Sequence, residues 1–187
     1  MAPIPPEITD LPVSWKEQQV VHKRWIVLAC FIGEVRNQVV CVVEGQSKPW
    51  KKKGQTGIVF ETLEEWEEPN NEAIYRALKE ELDLTDREVV ENIEEKRGFI
   101  LDIDAEKERI IFTATVFLVQ LKRGTQILNL VGPGDELQSR GMREVISLNW
   151  DTRPGTLLAL KLAIWSYDKP NPMPFVTVKD GVETGEH

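Results

Sequence analysis

The stretch EEPNNEAIYRALKEELDL, Glu67 to Leu84, sets a proline, an arginine and four acidic residues behind its opening Glu-Glu pair. Pro69 suits a first helical turn, where a missing N–H costs nothing, and the acids just before it complement the helix dipole. The pattern predicts a helix over Glu68–Leu82. Ala73, Ile74, Ala77, Leu78 and Leu82 recur at three-to-four spacing and make its buried stripe. Glu72, Arg76 and Glu80 follow each other at i, i+4 on an exposed side, with Glu81 beside that row. Spacing alone is satisfied by a salt-bridged surface helix, each pair contributing roughly 0.3 kcal/mol. The other reading is a scaffold that holds carboxylates for a metal.

Working outward, RWIVLACFIGE (24–34) and NQVVCVVEG (37–45) are apolar, β-branched runs with a short polar link, which predicts a hairpin or a neighbouring strand pair. KPWKKKGQTGIVFE (48–61) reads as a basic, glycine-spotted loop running into a short strand, and ETLEEWEE as an acidic loop. Beyond the helix, REVVENIEEKRGFI and ERIIFTATVFLVQL are strand candidates joined by the acidic link LDIDAEK. EVISLNW is expected as a last strand and PGTLLALKLAIWSY (154–167) as an amphipathic helix with proline near its start.

The helix resembles the signature of the Nudix family, Gly-x5-Glu-x7-Arg-Glu-U-x-Glu-Glu-x-Gly-U with U aliphatic. Glu68-x7-Arg76-Ala77-Leu78-Lys79-Glu80-Glu81-Leu82-Asp83-Leu84 is similar to its second part, and the order of strands and helices over about residues 24–166 is similar too. The resemblance implies an α/β protein, a Nudix-like α/β/α sandwich with a mixed central sheet. It divides the chain into an N-terminal extension (1–23), a Nudix-like domain (24–168) and a C-terminal tail (169–187), both ends being proline-rich or polar and read as extended or mobile. It also implies Mg²⁺ or Mn²⁺, because hard cations need several carboxylate oxygens and successive helical turns present them together. Glu80 and Glu81 would be the metal ligands or their support, with Glu68 assisting and Arg76 orienting a carboxylate. Three departures stand out. The family glutamate after the arginine is Ala77, the glycine near the helix end is Asp83, and ten residues rather than five separate Gly57 from Glu68, so that TLEEW looks inserted. Glu61, Glu64, Glu65 and Glu67 are the acids available to replace the missing ligand.

Nudix hydrolysis also needs a base, often from a loop before the last strand. There DELQSRGMREV offers Asp135, Glu136 and Glu144, of which Glu136 comes first by position, beside Glu81 and Arg76 in the helix. His22 and His187 lie at unsuitable places, and neither a Gly-x-Ser-x-Gly motif nor a P-loop occurs. Lys51, Lys52 and Lys53, with Lys48, surround Trp50 ahead of the glycine loop, a mixture suited to binding phosphates by charge and stacking a base on the indole.

The net charge of −8 argues against a protein that coats nucleic acid by electrostatics alone. Cys30 and Cys41 are expected as buried free thiols, because two cysteines make neither a disulfide framework nor a zinc site. No apolar run reaches the roughly 18 residues needed to span a bilayer, and MAPIPPEITD lacks the marks of a signal peptide, so a soluble, cytoplasmic protein is expected. The resemblance therefore implies a pyrophosphohydrolase acting, through metal-activated water, on a nucleoside diphosphate linked to another group. The alternative is a catalytically impaired Nudix-fold module that binds nucleotide or RNA, an alternative that Ala77 and Asp83 favour.

Overall fold

The computed structural model describes residues 19–129, 137–149, 152–165 and 173–186. Its strands are β1 (Gln19–Ile32), β2 (Gln38–Glu44), β3 (Thr56–Gly57), β4 (Val59–Thr62), β5 (Val90–Glu95), β6 (Phe99–Asp104), β7 (Glu108–Leu121), β8 (Leu137–Glu144), β9 (Phe175–Lys179) and β10 (Val182–Glu186). The helices are α1 (Asn70–Leu82) and α2 (Thr156–Ile164). The larger sheet runs β10-β9-β6-β7-β1-β4, with β5 also on β7, and the smaller one runs β3-β2-β8. The larger sheet is mixed: β1 and β7 pair in parallel, as do β6 and β9, and the remaining pairs are antiparallel.

The central strand explains the layers. Trp25, Val27, Ala29 and Phe31 of β1 join one apolar cluster with Leu158, Ala159 and Leu162 of α2. The intervening Ile26, Leu28 and Cys30 join the other, with Ala73, Ile74, Ala77, Leu78 and Leu82 of α1. A strand covered on both faces reads as an unbroken apolar run, which is why RWIVLACFI shows no alternation. The two helices therefore flank the sheet on opposite faces, the Nudix α/β/α sandwich that the sequence leads one to expect. Truncating a fully buried stripe residue such as Leu78 would cost about 2–5 kcal/mol.

Several local expectations change. β1 and β2 are no hairpin: β2 pairs with β3 and β8 in the smaller sheet. LDID is the body of β6 rather than a link, because Asp102 is held by a two-pronged contact from Arg109 Nε and Nη2 at 2.8 and 2.6 Å, which lets an acid sit in a strand. Gly98 permits the step from β5 to β6 along β7, since a Cβ there would lie 2.1 Å from the Ala114 carbonyl oxygen. The strand expected at EVISLNW lies earlier, at Leu137–Glu144, and Val145–Ser147 is a 3-10 turn. Residues 175–186, expected within a tail, form an edge hairpin on β6. Its two-residue loop has Asp180 and Gly181 both left-handed, as a type I′ turn requires. β1 likewise begins at Gln19, inside the span expected as an extension. Cys30 and Cys41 are free and buried, and burial pushes each thiol up to about 12. No described helix is long and apolar enough to cross a membrane.

Candidate functional site

α1 starts directly after Pro69, whose carbonyl accepts from the N–H groups of Glu72 and Ala73 at 3.1 and 3.2 Å. It stops at Asp83, which takes the left-handed conformation (φ 58°) at the place of the family glycine. Its N–H bonds to the Lys79 carbonyl, and that of Leu84 to the Leu78 carbonyl, both at 3.0 Å. Aspartate tolerates that region better than branched residues do, so this departure keeps the helix end intact. Within α1, Arg76 gathers two carboxylates. Nη1 meets Glu61 Oε1 at 2.5 Å, while Nη2 meets both oxygens of Glu68 at 2.9 and 2.8 Å and the Thr62 carbonyl at 3.2 Å. Burial works to raise the Glu68 carboxyl, but the Arg76 bond and the Glu64 N–H at 2.7 Å outweigh it, and the group is held below its usual range.

Next to this network lies a cavity of about 540 Å³. Glu80 and Glu81 of α1 and Glu61 and Thr62 of β4 line one part of it; Glu44, Lys51 and Arg153 line another. Glu44, the last residue of β2, is fully buried. Its Oε1 accepts from Arg153 Nη1 at 2.8 Å and its Oε2 from Lys51 Nζ. A buried carboxylate is tolerable only with such partners, and both cations are themselves almost wholly buried. Arg153 is brought in by its N–H bond to the Thr56 carbonyl at 2.8 Å and by glycine at 57, where a Cβ would come 3.0 Å from Arg153 Cβ. Its guanidinium lies 4.2 Å from the Phe60 ring centre and 5.4 Å from that of Trp25.

The aromatic part of the lining is built on Trp25, stacked on Phe112 at 3.5 Å and 24° and fixed by its Nε1–H bond to Thr62 Oγ1 at 2.7 Å. Trp50, half-buried, meets Trp25 edge-on at 6.2 Å. The ammonium groups of Lys48 and Lys23 lie 5.7 and 6.0 Å from the Trp50 ring centre. The cavity thus joins an indole, cations and carboxylates in one place.

Burial, then the negative charge of Glu61, raises the Glu81 carboxyl to about 7, with Arg153 opposing. Burial likewise raises Glu61, opposed by Arg76 and reinforced by Glu80. Such crowded carboxylates have the donor chemistry of a hard-cation site. Among the described residues no three Asp, Glu, His or Cys side chains converge as a protein-only cage. Magnesium, however, is commonly held by one or two carboxylates plus substrate phosphates, and Glu80, which lines the cavity, suits that smaller donor set. Ala77 is fully buried among Ile26, Leu28 and other apolar side chains, so a glutamate at that position would put its carboxylate into the core.

Of the residues singled out from sequence, the cavity brings together Glu80, Glu81, Lys48, Trp50 and Lys51, with Glu61 from the acidic run. Glu68 and Arg76 stand beside it, bonded to each other. Lys52 and Lys53 are exposed and outside its lining; their backbone N–H groups bond Gln55 Oε1 and Ser47 Oγ. Glu64, Glu65 and Glu67 are exposed, and Glu144 is exposed at the end of β8. Asp135 and Glu136 lie outside the described residues. Sequence reasoning missed Glu44, Arg153 and Trp25. Nothing local marks Glu44 or Arg153, which meet across 109 positions; Trp25 looks like any other apolar residue of its run.

No family model matches the chain. No curated protein sequence matches it significantly. Solved structures do. The MutT Nudix hydrolase of Burkholderia pseudomallei superposes with a TM-score of 0.50 at 20% identity, over 75% of this chain and 97% of that one. The Nudix domain of Shewanella oneidensis NrtR, complexed with ADP ribose, gives 0.51 at 11% identity over 83% and 92%. The Nudix hydrolase RenU of M. smegmatis gives 0.50 at 10% over 75% and 81%. Likeness at such low identity speaks to architecture, and the architecture of this chain is the Nudix fold.

Proposed function

We propose that the protein hydrolyses the pyrophosphate of a nucleoside diphosphate linked to another group. The observation that carries this reading is the lining of one cavity by Glu61, Glu80 and Glu81 together with Trp50, Lys48 and the buried cations Lys51 and Arg153. Trp50 offers a stacking face for a base, worth about 1–3 kcal/mol in comparable sites. Lys48, with the net positive charge of the Lys51–Glu44–Arg153 group, attracts the phosphates. Glu80, with oxygens of the diphosphate, would hold Mg²⁺ or Mn²⁺, which when bound neutralises phosphate charge and acidifies water. Glu81, lining the same cavity and titrating near neutrality, accepts the proton of the attacking water. The water oxygen bonds to one phosphorus, the bridging P–O bond breaks, and the bridging oxygen leaves with the electron pair and takes up a proton. That NrtR, of the same fold, was solved with ADP ribose supports this choice of ligand class.

A second reading, a nucleotide- or RNA-binding module without turnover, is favoured by the fully buried Ala77. Turnover of a diphosphate panel with magnesium and with manganese separates the two. Hydrolysis by the parent that falls about a hundredfold or more in Glu81→Gln supports the hydrolase. Binding without turnover in the parent, or turnover indifferent to Glu81→Gln, sinks it.

A further inference from the structure

Lys48, Trp50 and Lys51 reach the cavity from a turn rather than from a helix or a strand. The N–H of Lys48 bonds to the Lys51 carbonyl at 2.9 Å and that of Lys51 to the Lys48 carbonyl at 3.1 Å, which closes the turn around Pro49 and Trp50. A binding residue on a loop keeps its place only if something outside the loop fixes it. Here that residue is Gln55, which is buried. Its Oε1 accepts from the Lys52 N–H at 2.7 Å, and its Nε2 donates to the Gly181 carbonyl at 3.1 Å. Its backbone N–H bonds to the Lys52 carbonyl at 3.2 Å, and its own carbonyl accepts from the Glu44 N–H at 3.0 Å. One buried residue therefore joins the end of β2, the segment that follows Trp50 and the turn between β9 and β10.

The β9–β10 turn also lies directly against that segment. A Cβ at Gly181 would come 3.1 Å from the Lys51 carbonyl carbon and 3.0 Å from Lys52 Cγ, and the residue sits at φ 74°, where a side chain is strained. β9 and β10 occupy the edge of the larger sheet beyond β6, and their described residues do not line the cavity. We infer that Gln55 is a positioning residue for the nucleotide. Its carboxamide locks the turn carrying Lys48, Trp50 and Lys51 onto the C-terminal hairpin, so that the hairpin sets the affinity of a cavity it does not line. This rests on reading that cavity as a nucleotide site.

The test is a double-mutant cycle read by calorimetric titration with ADP ribose in magnesium buffer, every protein carrying Glu81→Gln so that the probe survives. Gln55→Leu is expected to weaken binding about tenfold, and Gly181→Ala, which pushes on the turn from the hairpin side, about threefold or more. In a Trp50→Ala protein the same Gln55→Leu change should weaken binding less than about threefold, because the stacking face that Gln55 positions is gone. A residue that only stabilised the fold would show no such coupling. Gly181→Ala keeps the Gln55 side chain intact, so it tests the same link should Gln55→Leu not fold. Unchanged affinity in either folded variant, or a Gln55→Leu loss that adds in full to that of Trp50→Ala, overturns the inference while leaving the nucleotide site standing. No binding of ADP ribose by the Glu81→Gln protein itself overturns the nucleotide reading, and this inference with it.

Discussion

Two ion-pair networks border the cavity, and they differ in kind. Arg76 with Glu61 and Glu68 is partly solvated, the three side chains keeping 19, 12 and 14% of their exposure. Glu44 with Lys51 and Arg153 is nearly dry. Solvated networks tolerate the loss of a member because water takes its place; in buried ones water does not replace the lost partner, so the loss costs more. The first can therefore adjust to a ligand, whereas the second is a fixed element on which the ligand's surroundings are built.

The sharpest break of this contrast is Glu44→Ala, which removes the buried carboxylate that Lys51 and Arg153 share and is expected to lower stability by about 3–5 kcal/mol in urea unfolding. Next comes Glu81→Gln, which should stabilise. The folded carboxyl titrates at about 7, above its ordinary 4.5. The proton it holds contributes stability fully below the unfolded pKa, and that contribution disappears as pH rises through the folded one. Parent and variant should thus unfold alike at pH 4 and separate by about 2–3 kcal/mol at pH 8.5, in favour of the variant. Arg76→Ala should cost only about 1–2 kcal/mol by the same unfolding measurement, less than the Glu44 variant. A loss equal to that at Glu44 would erase the distinction between the networks.

The smallest effect concerns the far end of the dry network. Glu183 Oε1, on the C-terminal hairpin, accepts from the Gly155 N–H at 2.7 Å, two residues after Arg153, and the Gly181 carbonyl accepts from Gln55 Nε2 at 3.1 Å. The hairpin so braces both segments that supply cations to Glu44. Glu183→Ala should lower the thermal midpoint modestly, corresponding to about 1 kcal/mol, the usual value of a cap at a helix start.

What the sequence made legible follows the range of each interaction. The buried stripe of α1, the strands β1 and β7 and the terminal helix are set by neighbours three to four residues away or by unbroken apolar runs. β8 was misplaced because it is polar. Arg140 there is spent on the Leu128 and Glu81 carbonyls at 2.6 and 3.0 Å, an arrangement no periodicity records. The hairpin at 175–186 carried a readable sign, Asp180-Gly181 between FVTVK and VETGE, that its proline-rich and polar surroundings obscured. In the site, the helix acids were visible through the motif, while Lys51 looked like a free surface cation because its partner Glu44 closes an apolar strand with no local hint of burial.

The proposed hydrolysis of a diphosphate in this cavity turns on Glu81 as proton acceptor. Following ADP ribose by phosphorus NMR, with manganese-free magnesium buffer and catalytic protein, tests it most directly. The diphosphate resonances should give way to phosphomonoester resonances with the parent, and persist with Glu81→Gln. Unchanged diphosphate resonances with a parent that binds ADP ribose would contradict it.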